Sequence, residues 1–69
     1  MDNPTIDKYG SQTWYNSKGE VHREGGPAYV KLDGTKAWFI NGSWHREDGP
    51  AIILADDRKF WFIKGKQIQ

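Results

Sequence analysis

Two short strings in this chain carry side chains capable of chemistry, and they are near copies of each other. His22-Arg23-Glu24-Gly25-Gly26-Pro27-Ala28 returns 23 residues later as His45-Arg46-Glu47-Asp48-Gly49-Pro50-Ala51. Arginine presents a planar fork that grips phosphate or carboxylate through paired hydrogen bonds, and histidine adds a ring that donates and accepts. In a functional reading, Arg23 and Arg46 hold an anion while His22 and His45 widen the cationic and aromatic groove around it. In a purely structural reading, Arg46 pairs with Glu47 or Asp48, and the imidazole hydrogen-bonds the backbone of the Gly-Pro bend. Because both copies carry the string, the repeating unit can itself require it.

Tryptophan is the second resource. Trp14, Trp38 and Trp61 occupy one position of the unit, where they serve as packing or as a row of faces for a base to stack on. Trp44 has no counterpart, since Val21 and Gln67 stand at the matching positions. A lone extra tryptophan beside a tight turn suits a binding anchor. The candidate ligand-binding set is therefore Trp44, Arg46, His45, Arg23, His22 and Trp38.

Catalytic groupings are missing. Ser11, Ser17 and Ser43 lie outside any Gly-x-Ser-x-Gly elbow. Ser43 and His45 can share a strand face, but no third group orients the base. His22, His45 and Glu47 lack metal-ligand spacing, and no glycine-rich phosphate loop opens a helix. The expectation is a protein that binds without turnover and holds no cofactor or metal.

The elements that position these residues are hairpins. Trp38-Phe39-Ile40-Asn41-Gly42 returns 23 residues later as Trp61-Phe62-Ile63-Lys64-Gly65, and an earlier copy opens at Trp14-Tyr15-Asn16 with one extra residue in its turn. Lys36 to Ile40 and Lys59 to Ile63 are aromatic and β-branched runs that suit strands; 29–32 and 51–54 are the returning strands. Asn41-Gly42 calls for a type I′ turn with two positive φ angles, and Asp33-Gly34 reads as the same device. Asn16-Ser17-Lys18-Gly19 fits a longer loop closing on glycine. Proline in Gly-Pro-Ala makes that segment a bend or an edge. No window shows helical periodicity. The expected fold is all-β: an antiparallel meander of about two and a half units (9–32, 33–55 and a partial 56–69) in one domain, open or barrel-like.

At these residues the chain resembles the MORN-like repeat group, in the variant with a Trp-Tyr/Phe strand, an Asn-Gly turn and a His-Arg-Glu-Asp-Gly-Pro-Ala segment. The resemblance covers most of the protein, from about Tyr9 to Gly65. This variety is similar to one common in bacteriophage and large-virus proteins. The Tyr-x-Gly signature of the MORN repeats themselves is absent, and Gly25 replaces the aspartate of the second copy. The resemblance implies stacked hairpins and a viral setting, the host cytoplasm, where a binding protein would counteract host defence.

Composition bounds the rest. Ten Lys and Arg against nine Asp and Glu leave a net charge of +1, which is no footprint for duplex nucleic acid. Arg58, Lys59, Lys64 and Lys66 form a basic C-terminal stretch that discourages edge-to-edge aggregation. With 69 residues and no cysteine, the core is thin and has no disulfide to reinforce it. Self-association is the expected remedy, most simply a dimer. The N-terminus lacks a signal-peptide pattern and no run reaches the length of a membrane span, so a cytoplasmic protein is expected. Two functions remain open. One is sequestration of a small anionic, nucleotide-like molecule. The other is a protein–protein module, inhibitor- or antitoxin-like, acting through the trailing strand of residues 66–69.

Overall fold

A computed structural model describes residues 3–68. Ten two-residue strands follow one another: β1 (Thr5–Ile6), β2 (Gln12–Thr13), β3 (Tyr29–Val30), β4 (Lys36–Ala37), β5 (Phe39–Ile40), β6 (Ser43–Trp44), β7 (Ile52–Ile53), β8 (Lys59–Phe60), β9 (Phe62–Ile63) and β10 (Lys66–Gln67). The described residues contain no helix. Six strands form an antiparallel meander in the order β1-β2-β3-β4-β7-β8, while β5–β6 and β9–β10 are separate two-stranded hairpins. An isolated Tyr15–Val21 bridge is the first unit's counterpart of those hairpins. Between the barrel and the open form, the sheet is open, with β1 and β8 at its ends.

The runs Lys36 to Ile40 and Lys59 to Ile63 do not make single strands. Each breaks at its tryptophan, because the backbone changes partners there. The Trp38 amide donates to Ala51 O in the meander at 2.7 Å, while its carbonyl accepts from His45 N in the hairpin at 3.0 Å. Trp14 does the same with Ala28 (2.9 Å) and His22 (2.9 Å). Residues before each tryptophan thus belong to the sheet and residues after it to a hairpin. The returning strands are also shorter than their apolar runs, reduced to Tyr29–Val30 and Ile52–Ile53. The trailing strand is Lys66–Gln67, and Gln69 lies outside the described residues.

Turn chemistry divides into two types. Asn41-Gly42 has φ of 50° and 84°, and Lys64-Gly65 has 51° and 81°, as a two-residue type I′ reversal needs. The Asp33-Gly34 turn is not the same device. Only Gly34 has positive φ (98°), and the turn closes through Gly34 N to Lys31 O (3.1 Å) and Lys31 N to Thr35 O (2.9 Å). It is a three-residue loop with the left-handed residue last. The Asp33 carboxylate, which accepts the Thr35 amide at 2.9 Å, favours the αR position that a type I′ turn would exclude. Asn16 to Glu20 closes in the same way, so the extra residue near Ser17 converts a two-residue turn into a longer loop.

The core is small. Among the described residues Trp14, Ala28, Ala37 and Ala51 are its buried apolar members, and no large side chain is fully enclosed. Ala28 and Ala51, both 0% exposed, sit where the bend meets the sheet. Ala51 O accepts from Trp38 N and Ala51 N donates to Phe60 O, which ties the bend to the strands on both sides. Of the repeat tryptophans expected as packing, Trp14 is buried and Trp38 and Trp61 are half-buried. Strand register places Thr13, Tyr29, Ala37, Ile52 and Phe60 side by side on one face. Two residues on, Tyr15, Phe39 and Phe62 continue that face into the hairpins.

Candidate functional site

Each arginine of the repeated string sits over the tryptophan ring of its own unit. The guanidinium carbon is 4.0 Å from the ring centroid for Arg23 over Trp14, and 3.9 Å for Arg46 over Trp38. One terminal nitrogen donates to the proline carbonyl of the bend, Arg23 to Pro27 O and Arg46 to Pro50 O, both at 3.2 Å. Arg46 also donates through Nε to Asp48 at 3.0 Å. The glycine of the bend closes the other side: a Cβ built on Gly26 would stand 3.2 Å from the Arg23 Cζ, and on Gly49 2.9 Å from that of Arg46. Indole, guanidinium and glycine backbone therefore form three layers. Arg46 thus pairs with Asp48, and in both units the proline carbonyl is a further acceptor.

The two histidines do something the string alone does not suggest. Neither bonds the Gly-Pro bend; each reaches into the following unit. Nδ1 of His22 accepts the Asn41 amide at 2.9 Å, and Nδ1 of His45 accepts the Lys64 amide at 3.0 Å. Both amides open type I′ turns. The opposite ring nitrogen faces a glutamate, at 3.7 Å for His22–Glu24 and 3.3 Å for His45–Glu47.

Four of the six candidates share one groove. Arg23 of the first unit and Trp38, His45 and Arg46 of the second line an open cleft of about 740 Å³, together with Ile40. His22 lines the neighbouring hollow with Trp14 and Tyr15. Trp44 lines neither. The electrostatics of the cleft are mixed, because Glu24, Glu47 and Asp48 share its lining with the two guanidiniums. Those carboxylates are 80–88% exposed, so an incoming phosphate meets three anions beside cations already engaged.

Trp44 lies on the other face. It is paired across the hairpin with Phe39 (centroids 6.0 Å apart, 43° between planes) and reaches Phe62 of the next unit at 4.9 Å and 45°. These tilted contacts are the favoured aromatic geometry. With 40% of its surface open, Trp44 is a half-covered member of an aromatic row and not a free-standing anchor. The row continues into a hollow lined by Thr13, Tyr15, Val21, Tyr29 and Phe39. Tyr15 is 49% exposed at that end. Strand β10 flanks the row, pairing with β9 alone among the described strands.

Sequence reasoning found the arginine and tryptophan positions but missed Gly26, Gly49 and the proline carbonyls as their partners. The signal was present: a tryptophan, an arginine and a Gly-Pro pair recur together in both full units. Among the described residues no group of three His, Cys, Asp or Glu side chains converges as a metal site. Among them, too, no helix is long and apolar enough to cross a membrane. The chain matches no protein-family model, no curated protein and no solved structure.

Proposed function

We propose that this chain is a non-catalytic interaction module that docks protein on its aromatic face, in the first instance a second copy of itself. The observation that carries the reading is the row Phe39–Trp44–Phe62, packed at 6.0 and 4.9 Å, whose middle member keeps 40% of its surface open. A sheet buries its apolar face against another element; the described residues contain no helix, and the two further sheets are the hairpins that carry the row itself. With no large side chain fully enclosed, a second copy also supplies the burial the monomer lacks.

Sedimentation velocity at high micromolar concentration tests this directly. The wild type should sediment as a dimer, and Trp44→Ala should raise the dissociation constant about 30-fold or more, as loss of a central aromatic anchor does. A wild type with the mass of one 8.0 kDa chain would overturn the reading.

A second reading rests on the cleft, which gathers Arg23, Trp38, His45 and Arg46. It is sequestration of a small anionic, nucleotide-like molecule, which in a viral setting would blunt host defence. Calorimetry against ATP, GTP and cyclic dinucleotides decides it: silence across that set removes the reading, and binding that Arg46→Lys weakens supports it.

A further inference from the structure

We infer that His22 and His45 are proton-sensitive clasps, each holding the next unit's hairpin turn while its ring is neutral and releasing it when the ring is charged. The inference stands apart from what the aromatic face or the cleft binds.

A backbone N–H only donates. Nδ1 of His22, 2.9 Å from Asn41 N, and Nδ1 of His45, 3.0 Å from Lys64 N, must therefore each present a lone pair. The ring proton is then on Nε2, from which Glu47 accepts at 3.3 Å in His45 and which lies 3.7 Å from Glu24, an ion-pair distance, in His22. A second proton has one place to go, Nδ1, and there it would face the turn amide donor to donor. The charged groups on each ring's own segment are Glu24 and Arg23 at His22, and Glu47 and Arg46 at His45, each arginine held over its tryptophan. From the next unit the turn amide faces the ring, Asn41 N at His22 and Lys64 N at His45. The glutamates are 83% and 80% exposed, so solvent screens their charge. The turn contacts are short and repeated at both units. Protonation thus keeps the glutamate contact and gives up the clasp.

What is given up is one of two bonds that tie each turn to the preceding unit. Gly42 N still bonds Val21 O and Gly65 N still bonds Trp44 O, both at 2.8 Å, so the turn is loosened and stays attached. The device loosens β5–β6 and β9–β10 locally, on the residues that carry Phe39, Trp44 and Phe62.

The test is an NMR titration of the ¹⁵N-labelled full chain through the range where histidine changes charge, with imidazole C–H signals reporting each ring. The Asn41 amide should shift in step with His22 and the Lys64 amide with His45, and the protection of each against exchange should fall about fivefold. His22→Phe should abolish the step at Asn41 and leave the one at Lys64, and His45→Phe the reverse. An amide that stays still while its ring titrates overturns the inference. So does a transition shared by every amide, Thr35 included, because that is unfolding and not release of a clasp. The wild-type titration is sufficient by itself should a variant fail to fold.

Discussion

The guanidinium of Arg46 lies 3.9 Å from the centre of the Trp38 ring, and it is fixed there by a hydrogen bond to Pro50 O and by the bare backbone of Gly49. Arg23 and Trp14 repeat the arrangement at 4.0 Å. A side chain that reads as an anion receptor is thus a structural layer over the tryptophan of its own unit. Arg46→Lys should therefore cost stability before it costs any ligand. Lysine keeps the charge but has no plane to stack and no fork to span Asp48 and Pro50. A loss of about 1–2 kcal/mol is expected from the cation–π contact and the carbonyl hydrogen bond. Urea denaturation of Arg46→Lys measures it, and an unchanged midpoint would refute the layer.

Gly49→Ala probes the same layer from its other side. The added methyl would stand 2.9 Å from the Arg46 Cζ, so the guanidinium must slide out from between the ring and the bend. The variant should lose about 1 kcal/mol, whereas in an Arg46→Ala background the same change should be neutral or stabilising, because alanine restricts the unfolded chain. A double-mutant cycle with no coupling would separate the glycine from the arginine.

Asp57 holds a left-handed conformation (φ 72°) where the equivalent loops carry Gly10, Gly19 and Gly34. Asp57→Gly should raise stability by about 0.5–1 kcal/mol by relieving that strain. The opposite change, Gly42→Val in the type I′ turn, should lower it by about 1 kcal/mol or more. Thermal melts of the pair should move in opposite directions; movement in the same direction would contradict the turn geometry.

The Asp33 carboxyl is held below its ordinary value of 3.8, first by the Thr35 amide that donates to it, then by the Thr35 hydroxyl and the charge of Lys31. A depressed carboxyl stabilises the fold above its unfolded value, and that contribution disappears as pH falls through the lower folded value. The loss therefore sets in below about pH 3.8, and Asp33→Asn should show a shallower acid-side decline in melting temperature. An NMR titration placing Asp33 at or above 3.8 would disprove it.

The sequence by itself determined the period, the all-β class and the two-residue turn at Asn41-Gly42, because these depend on local φ preferences and side-chain alternation. It also marked the Arg-Gly-Pro bend through repetition. Local pattern could not show the break at Trp38, since Lys36 to Ile40 is uniformly strand-like; the break comes from the backbone exchanging Ala51 for His45 as partner. Nor could it separate the Asp33-Gly34 loop from the Asn41-Gly42 turn, because both end in a left-handed glycine and differ in the residue before it. The fates of the candidate residues were decided by tertiary structure alone. His22 meets Asn41 and His45 meets Lys64 across 19 residues of sequence, a distance no spacing rule covers. Trp44 leaves the cleft for the aromatic row because strand pairing sets it beside Phe39. A side chain's type says which bonds it can make, and only the folded backbone brings the partner within 3 or 4 Å of it.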